Sequence, residues 1–188
     1  MLKYISEFGN YVAAAGFRNA KIDDVDVLLK SLKTKLRPEI VFQLFDARLI
    51  ATSDHLLSAA LNALKAFRNG ENISRNLSVE LLLYASAQRQ IRKAAEILGI
   101  KSGAKEIAAL VISENPEDVK SALAIIEEST GAKRDDSVLE LSEEKITAIR
   151  RVFGITETEI ETMKGKYGLQ EVIKNLVIER VALLYVWR

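Results

Sequence analysis

Residue types that carry out catalysis are scarce in this sequence. His55 is its only histidine, and it has no cysteine. A nucleophilic triad needs a base such as histidine beside its nucleophile, and nothing here completes one around a single histidine. His55 follows Asp54 at a predicted helix start, which favours a surface or capping role over that of a general base. The sequence therefore predicts a protein that is not an enzyme.

Paired acidic residues are the other candidates for chemistry. Neighbouring helical side chains point about 100° apart, so such pairs do not converge on one ion, and solvated faces explain them better. The pairs are Glu127-Glu128, Asp135-Asp136 and Glu143-Glu144. Zinc fingers and iron–sulfur sites are excluded by the lack of cysteine, and no phosphate-binding glycine pattern occurs. We expect no metal, no cofactor and no small-molecule substrate.

Basic side chains are concentrated in one part of the chain. Between Asn62 and Lys93 six of them face only two acids, Glu71 and Glu80, although the whole chain has a formal net charge of +1. A local positive patch with aromatic and amide groups suits single-stranded RNA. An ordinary solvated helix surface is the alternative. The basic residues are Lys65, Arg68, Arg75, Arg89, Arg92 and Lys93, and the interleaved groups are Tyr84, Ser86, Gln88 and Gln90.

Predicted elements combine helices with a few short strands. Apolar, β-branched runs predict strands at residues 11–15, 40–45 and 106–112, and a short alternating run predicts one at 137–141. Helical spacing and capping residues predict helices at about 23–36, 55–69, 77–85, 87–98, 116–131 and 169–187. We expect an α+β fold: a helix-rich single domain over residues 1–188, with a small sheet of three or four short strands flanked by helices.

The compartment is predicted from what the chain lacks. Glu7, Gly9 and Asn10 interrupt the N-terminal segment, so it does not form the apolar core of a signal peptide. No apolar run reaches the roughly 18 residues that a membrane helix needs. We therefore expect a cytoplasmic protein without a membrane partner.

Three stretches of the sequence resemble the TPRKB family, the PRPK-binding subunits of the KEOPS complex. The first is Leu44–Ala60, the second runs from Val79 to Ile91 and closes on Ala94–Gly99, and the third is Asp135–Glu140. The block Gln88-Arg89-Gln90-Ile91 in its helical context is the most specific part. The resemblance covers roughly residues 42–146 well, the last twenty residues loosely and the first forty weakly.

This resemblance implies a non-catalytic role. KEOPS supports the formation of threonylcarbamoyl-adenosine in tRNA. Members of the family dock on the complex's atypical kinase/ATPase subunit and bind the single-stranded CCA tail of tRNA. A protein-interaction scaffold or homodimer without an RNA-binding role is the alternative.

Two sets of residues follow for this chain. The basic patch becomes the predicted tRNA site, with Lys65, Arg68, Arg75, Arg89 and Arg92 for phosphates and Tyr84, Ser86, Gln88 and Gln90 for bases or sugars. The apolar C-terminal helix has more than one apolar stripe, and a surplus stripe predicts the partner interface. A helix buried on most sides is the alternative. The interface residues are Val172, Ile173, Leu176, Val177, Arg180, Leu184 and Trp187.

Overall fold

An antiparallel sheet forms the centre of the molecule. The computed structural model describes residues 2–165 and 167–186. The strands are β1 (Leu2–Ile5), β2 (Asn10–Arg18), β3 (Val41–Asp46), β4 (Glu106–Ser113) and β5 (Lys133–Arg134). Their order in the sheet is β1-β2-β4-β3, and β5 pairs with the end of β2. The two central strands are buried from Val12 to Phe17 and from Ile107 to Ser113. Both faces of the sheet are therefore covered by helices.

Eight helices surround this sheet in the described part of the chain. They are α1 (Val25–Lys35), α2 (Ser53–Arg68), α3 (Leu77–Ser86), α4 (Ile91–Leu98), α5 (Pro116–Thr130), α6 (Glu143–Phe153), α7 (Glu157–Lys164) and α8 (Leu169–Val186). Two 3-10 turns, Ala47–Leu49 and Asp136–Leu139, complete the list. None of these helices combines the length and the apolar character that crossing a membrane requires.

Three apolar clusters hold the layers together. One joins α1 and α5 to the sheet face that carries Phe17 and Leu44. A second joins α2, α3, α4 and the end of α8 to the opposite face. The third packs α6 and α7 against the first half of α8. Because α8 contributes to two of these clusters, most of its circumference is buried.

Gly16 marks the place where a loop segment crosses the sheet. Its N–H donates to Asp136 Oδ1 at 2.9 Å, and the N–H of Asp135 donates to the Gly16 carbonyl at 2.9 Å. A Cβ atom at Gly16 would lie 2.4 Å from Val138 Cγ2 and 2.6 Å from the Asp135 carbonyl oxygen. Only glycine lets the segment 135–138 lie this close to β2.

The α+β class and most predicted elements are confirmed. The strand predicted at residues 137–141 is wrong: the chain forms a 3-10 turn there, because Asp135 Oδ1 accepts from the N–H and the hydroxyl of Ser137. The helix predicted from Ala87 begins only at Ile91, since Ala87 has φ +50° and ends α3. β1, β5 and α7 were not predicted.

Candidate nucleic-acid interface

The turn between α3 and α4 forms one wall of a cleft. Ala87 adopts a left-handed backbone, and the N–H of Gln88 donates to the Leu83 carbonyl at 3.0 Å. This closure of α3 lets the chain reverse before Gln90 starts α4. The cleft has a volume of about 340 Å³ and is lined by Ala87, Gln88, Arg89, Gln90, Lys93, Arg180, Leu183 and Leu184.

Arg180 supplies a cation from the opposite wall of this cleft. Its guanidinium forms an ion pair with Glu159 of α7. The N–H of Thr156, which donates to this carboxylate, and next the Arg180 guanidinium lower the pKa of the Glu159 carboxyl to about 2. Glu159 therefore stays charged near neutral pH and holds Arg180 in place. The sequence predicted Arg180 as part of a protein interface, whereas the structure places it beside Arg89 and Lys93.

Lys65 of α2 lies over the aromatic ring of Tyr185, near the end of α8. Its Nζ is 4.9 Å from the centre of the Tyr185 ring, and Tyr185 directly follows the cleft residue Leu184. The Tyr185 hydroxyl donates to Glu71 and accepts from Asn69 Nδ2 at 2.9 Å. These contacts tie the end of α2 to the end of α8.

The other predicted cations lie on exposed positions. Arg68 forms an ion pair with Glu7 at 2.5 Å and lies over the Phe8 ring at 4.7 Å. The Arg92 side chain, 93% exposed, pairs with Glu96 at 2.9 Å within α4. Both ion pairs are exposed, so an incoming phosphate can replace the carboxylate at small cost.

Arg75 stands in a loop whose shape is set by a buried carboxylate. Glu80 is fully buried, and its oxygens accept from the N–H groups of Ile73 at 2.9 Å and Ser74 at 2.7 Å. These bonds satisfy the charge without a cation. The loop presents Arg75 to solvent.

Tyr84 and Ser86 are corrections to the predicted site. Both side chains are 1% exposed, and the Ser86 hydroxyl donates to the Leu83 carbonyl at 3.1 Å. The reason is that α3 packs against α2, α4, α8 and β3, so that all of its residues from Glu80 to Ser86 are buried. Neither side chain can contact a base or a sugar.

The predicted apolar interface on α8 is also corrected. Its apolar members are buried because α8 packs against α2, α3, α6 and α7; they are Val172, Ile173, Leu176, Val177 and Leu184. Trp187 lies outside the described residues. These apolar side chains therefore belong to the core of the molecule.

His55 is a buried structural residue, so its predicted surface position is wrong. Nε2–H donates to the Ala85 carbonyl at 2.7 Å, while Nδ1 accepts the N–H of Ala51 at 3.2 Å. Burial lowers the pKa of the imidazole to about 4, so the ring is neutral near pH 7. Both nitrogens are used by the backbone, so His55 links α2 to the end of α3.

The described residues hold no group of three or more acidic or histidine side chains arranged to bind a metal ion. The polar groups of the cleft are cations and amides, which are donors suited to phosphate and to base edges.

Two comparisons with known proteins identify the family of the chain. Residues 20–185 match the sequence profile of the family described as kinase binding protein CGI-121. The chain belongs to this family. It is also 31% identical over 169 residues to a protein of Methanocaldococcus jannaschii named "Regulatory protein Cgi121", an alignment that covers 90% of this chain and 94% of that protein. The predicted resemblance to the TPRKB family is confirmed.

Three contributors to the cleft were missed in the sequence. Lys93 was seen as part of the basic window but not assigned to the site, and Ala87 and Leu183 were not assigned to either site. The spacing of Arg180, Leu183 and Leu184 places them on one face of α8. What the sequence did not show is that this face meets the Gln88-Arg89-Gln90 block.

Proposed function

We propose that this chain is a non-catalytic KEOPS subunit that binds the CCA tail of tRNA in the cleft between the α3–α4 turn and α8. In this role it also docks on the kinase/ATPase subunit and so brings tRNA to the complex. Membership of a kinase-binding family supports the second part. The first part depends on the geometry of the cleft.

One observation carries the RNA part of the proposal. Three cations from two elements, Arg89, Lys93 and Arg180, line a single cleft with the amides of Gln88 and Gln90. Cations recognise phosphates whatever the sequence, and amides can read the edges of unpaired bases. A volume of about 340 Å³ lies at the lower end of the range for ligand pockets, which fits a terminal nucleotide better than a duplex.

The cations outside the cleft extend this surface. Lys65 lies next to Tyr185, and Arg68, Arg75 and Arg92 are exposed. Each phosphate that they neutralise releases counterions, so binding depends on salt concentration. We propose that they hold the backbone of the tail and its adjoining stem, while the cleft holds the terminal bases.

A pair of matched variants tests the RNA site. Arg89→Ala removes a cation from the cleft, whereas Lys33→Ala removes an exposed cation from α1, which packs on the opposite face of the sheet. Loss of one charged contact of about 1.4 kcal/mol corresponds to about tenfold weaker tRNA binding. Fluorescence anisotropy with labelled tRNA should show this loss for Arg89→Ala and no change for Lys33→Ala. Equal affinities for both variants would remove the cleft from the proposal.

For the kinase we propose the solvent side of α8, because its buried stripe is not available. Glu179, Ala182 and Val186 are exposed at spacings of three and four residues, which places them on one face of the helix. Val186 is 68% exposed, the largest fraction among the exposed large apolar side chains of the described residues. We propose Val186 as the apolar contact of this face, flanked by Ala182 and Glu179.

A further inference from the structure

The side chains that line the proposed tRNA cleft include positive charges but no negative ones. Arg89, Lys93 and Arg180 are the cations, and within residues 2–165 and 167–186 no aspartate or glutamate lines the cleft. The polar groups beside them are the neutral amides of Gln88 and Gln90. Such a lining attracts phosphate groups, and it repels a second cation that enters the cleft.

Carboxylates outside the cleft do not neutralise its cations equally. Arg180 pairs with Glu159 and, at 3.6 Å, with Glu179. Lys93 is exposed on α4 and forms no ion pair with any carboxylate of the described chain. The full charge of Lys93 therefore acts on whatever group occupies the cleft.

The backbone around the cleft also favours an anion over a cation. The last carbonyls of a helix are common acceptors for a cation, but in α3 the carbonyls of Leu83, Tyr84 and Ala85 already accept hydrogen bonds from within the fold. α4 begins at the cleft, and its N-cap residue Gln90 forms no side-chain capping bond. The N–H groups in the first turn of α4 thus add to the positive potential of the cleft.

The 3′ end of a tRNA occurs either with a free hydroxyl or as an ester of an amino acid, whose α-amine is largely protonated at about pH 6.5. We propose, given the binding of the CCA tail proposed above, that the cleft selects the free 3′ end, and that Lys93 disfavours the aminoacyl ester by repelling its ammonium group. The phosphates of the tail are the same in both forms, so the two forms differ only at the terminal ribose. In this role the chain recruits tRNA that carries no amino acid.

One tRNA prepared in four forms tests this selectivity. The forms are the free 3′ end, the aminoacyl ester, the same ester with its α-amine acetylated, and the tRNA without its CCA tail. Their binding is measured by fluorescence anisotropy at about pH 6.5. We expect the aminoacyl ester to bind at least about fivefold more weakly than the free end, and the acetylated ester, which has the bulk without the charge, to bind within about twofold of it.

The four forms separate a failure of this selectivity from a failure of the proposed function. If the tail matters but the free end and the aminoacyl ester bind equally, only the selectivity is overturned. If the acetylated ester binds as weakly as the ester with a free amine, size decides and not charge, which also overturns it. Equal binding of the intact and the tail-less tRNA would remove both the proposed function and the selectivity.

A pair of matched variants tests the role of Lys93. Lys93→Gln removes the charge from the cleft, and Lys33→Gln removes an exposed charge from α1 on the opposite face of the sheet. The readout is the ratio of the affinities for the free end and the aminoacyl ester, in which a general loss of RNA binding cancels. We expect this ratio to fall to about twofold in Lys93→Gln and to stay unchanged in Lys33→Gln. An unchanged ratio in Lys93→Gln would show that Lys93 does not set the selectivity.

Discussion

His55 shows how a residue that the sequence predicts at the surface can be buried and structural in the protein. Its ring lies edge-on to Phe153 with 5.6 Å between ring centres, and both of its nitrogens bond to backbone groups. Protonation would convert the nitrogen that accepts from Ala51 into a donor facing a donor. We therefore expect the neutral ring to be a condition for the native contact between α2 and α3.

Stability should fall as the pH is lowered through the range where free histidine titrates. The pKa of His55 is about 4 in the folded chain and about 6.5 when unfolded, so the unfolded chain binds more protons between these values. The stabilisation is complete above pH 6.5 and is lost as the pH falls towards 4. Between pH 7.5 and 5.5 we expect the free energy of unfolding to drop by about 1 kcal/mol, measured by urea denaturation.

Because the sequence has only one histidine, the lowered pKa of His55 can be checked directly by NMR. The imidazole resonances of His55 should not shift between pH 8 and 5.5. A titration midpoint near pH 6.5 would contradict the buried, neutral ring.

Gly16 is a residue whose importance depends on contacts distant in sequence. Replacing it with alanine places a methyl group in contact with backbone and Val138, which costs about 2 kcal/mol or more because the backbone must move. Gly165→Ala is the control, since nothing lies within 4 Å of the added Cβ and its φ of −68° suits alanine. Urea denaturation should show a large loss for Gly16→Ala and little change for Gly165→Ala. Equal stability of the two variants would refute the close crossing at Gly16.

For single residues, the sequence predicted which residue types are present better than it predicted whether each side chain faces the cleft or the core. Gln88, Arg89 and Gln90 do line a cleft, but Tyr84 and Ser86, a few positions earlier, face the core. Composition of a window cannot show whether a short helix is buried on one side or on all sides. α3 is buried from Glu80 to Ser86, because it packs against α2, α4, α8 and β3.

Among the elements, α8 packs against helices on two of its sides. It packs against α2 and α3 on one side and α6 and α7 on the other, so apolar residues occur around most of its circumference. The same pattern in a sequence predicts either a surplus interface or a buried helix. Here burial explains it, and the exposed residues Glu179, Ala182 and Val186 form the remaining face.

Two substitutions on α8 separate the core from the proposed kinase surface. Val177→Asp buries an unpaired charge at a position that is fully buried, so we expect a loss of at least about 3 kcal/mol of stability. Val186→Asp changes a side chain that is 68% exposed and should leave stability within about 0.5 kcal/mol.

A pull-down with the kinase subunit then reads out docking in the folded variant. Val186→Asp should weaken kinase binding without lowering the thermal midpoint. If Val186→Asp folds and binds the kinase as well as the parent chain does, the solvent side of α8 is not the docking surface.

The elements that the sequence predicted are those with strong local signals. Asn115 and Pro116 begin α5 and Gly131 ends it, and each has the geometry that its residue type favours. α7 also had a signal that was overlooked: Thr156 and Glu159 form a capping box. β1 had none, because it is four residues long, mostly exposed and defined by its pairing with β2.

For the whole molecule, the proposed tRNA cleft is formed by α4, α8 and the α3–α4 turn, on the face of the sheet that α2, α3 and α4 cover. The way in which α8 meets the Gln88-Arg89-Gln90 block depends on the two apolar clusters to which α8 contributes, and it was beyond reach from the sequence.

The most direct test of the account compares one tRNA in two forms, intact and with its CCA tail removed, for binding to the purified protein at two salt concentrations. The cleft predicts that removing the tail weakens binding at least about tenfold at both concentrations, because the terminal bases lose their contacts. The remaining affinity should fall with salt, as expected of the exposed cations. Equal binding of the two forms would contradict the proposed role in tRNA recruitment and leave kinase binding as the function of this chain.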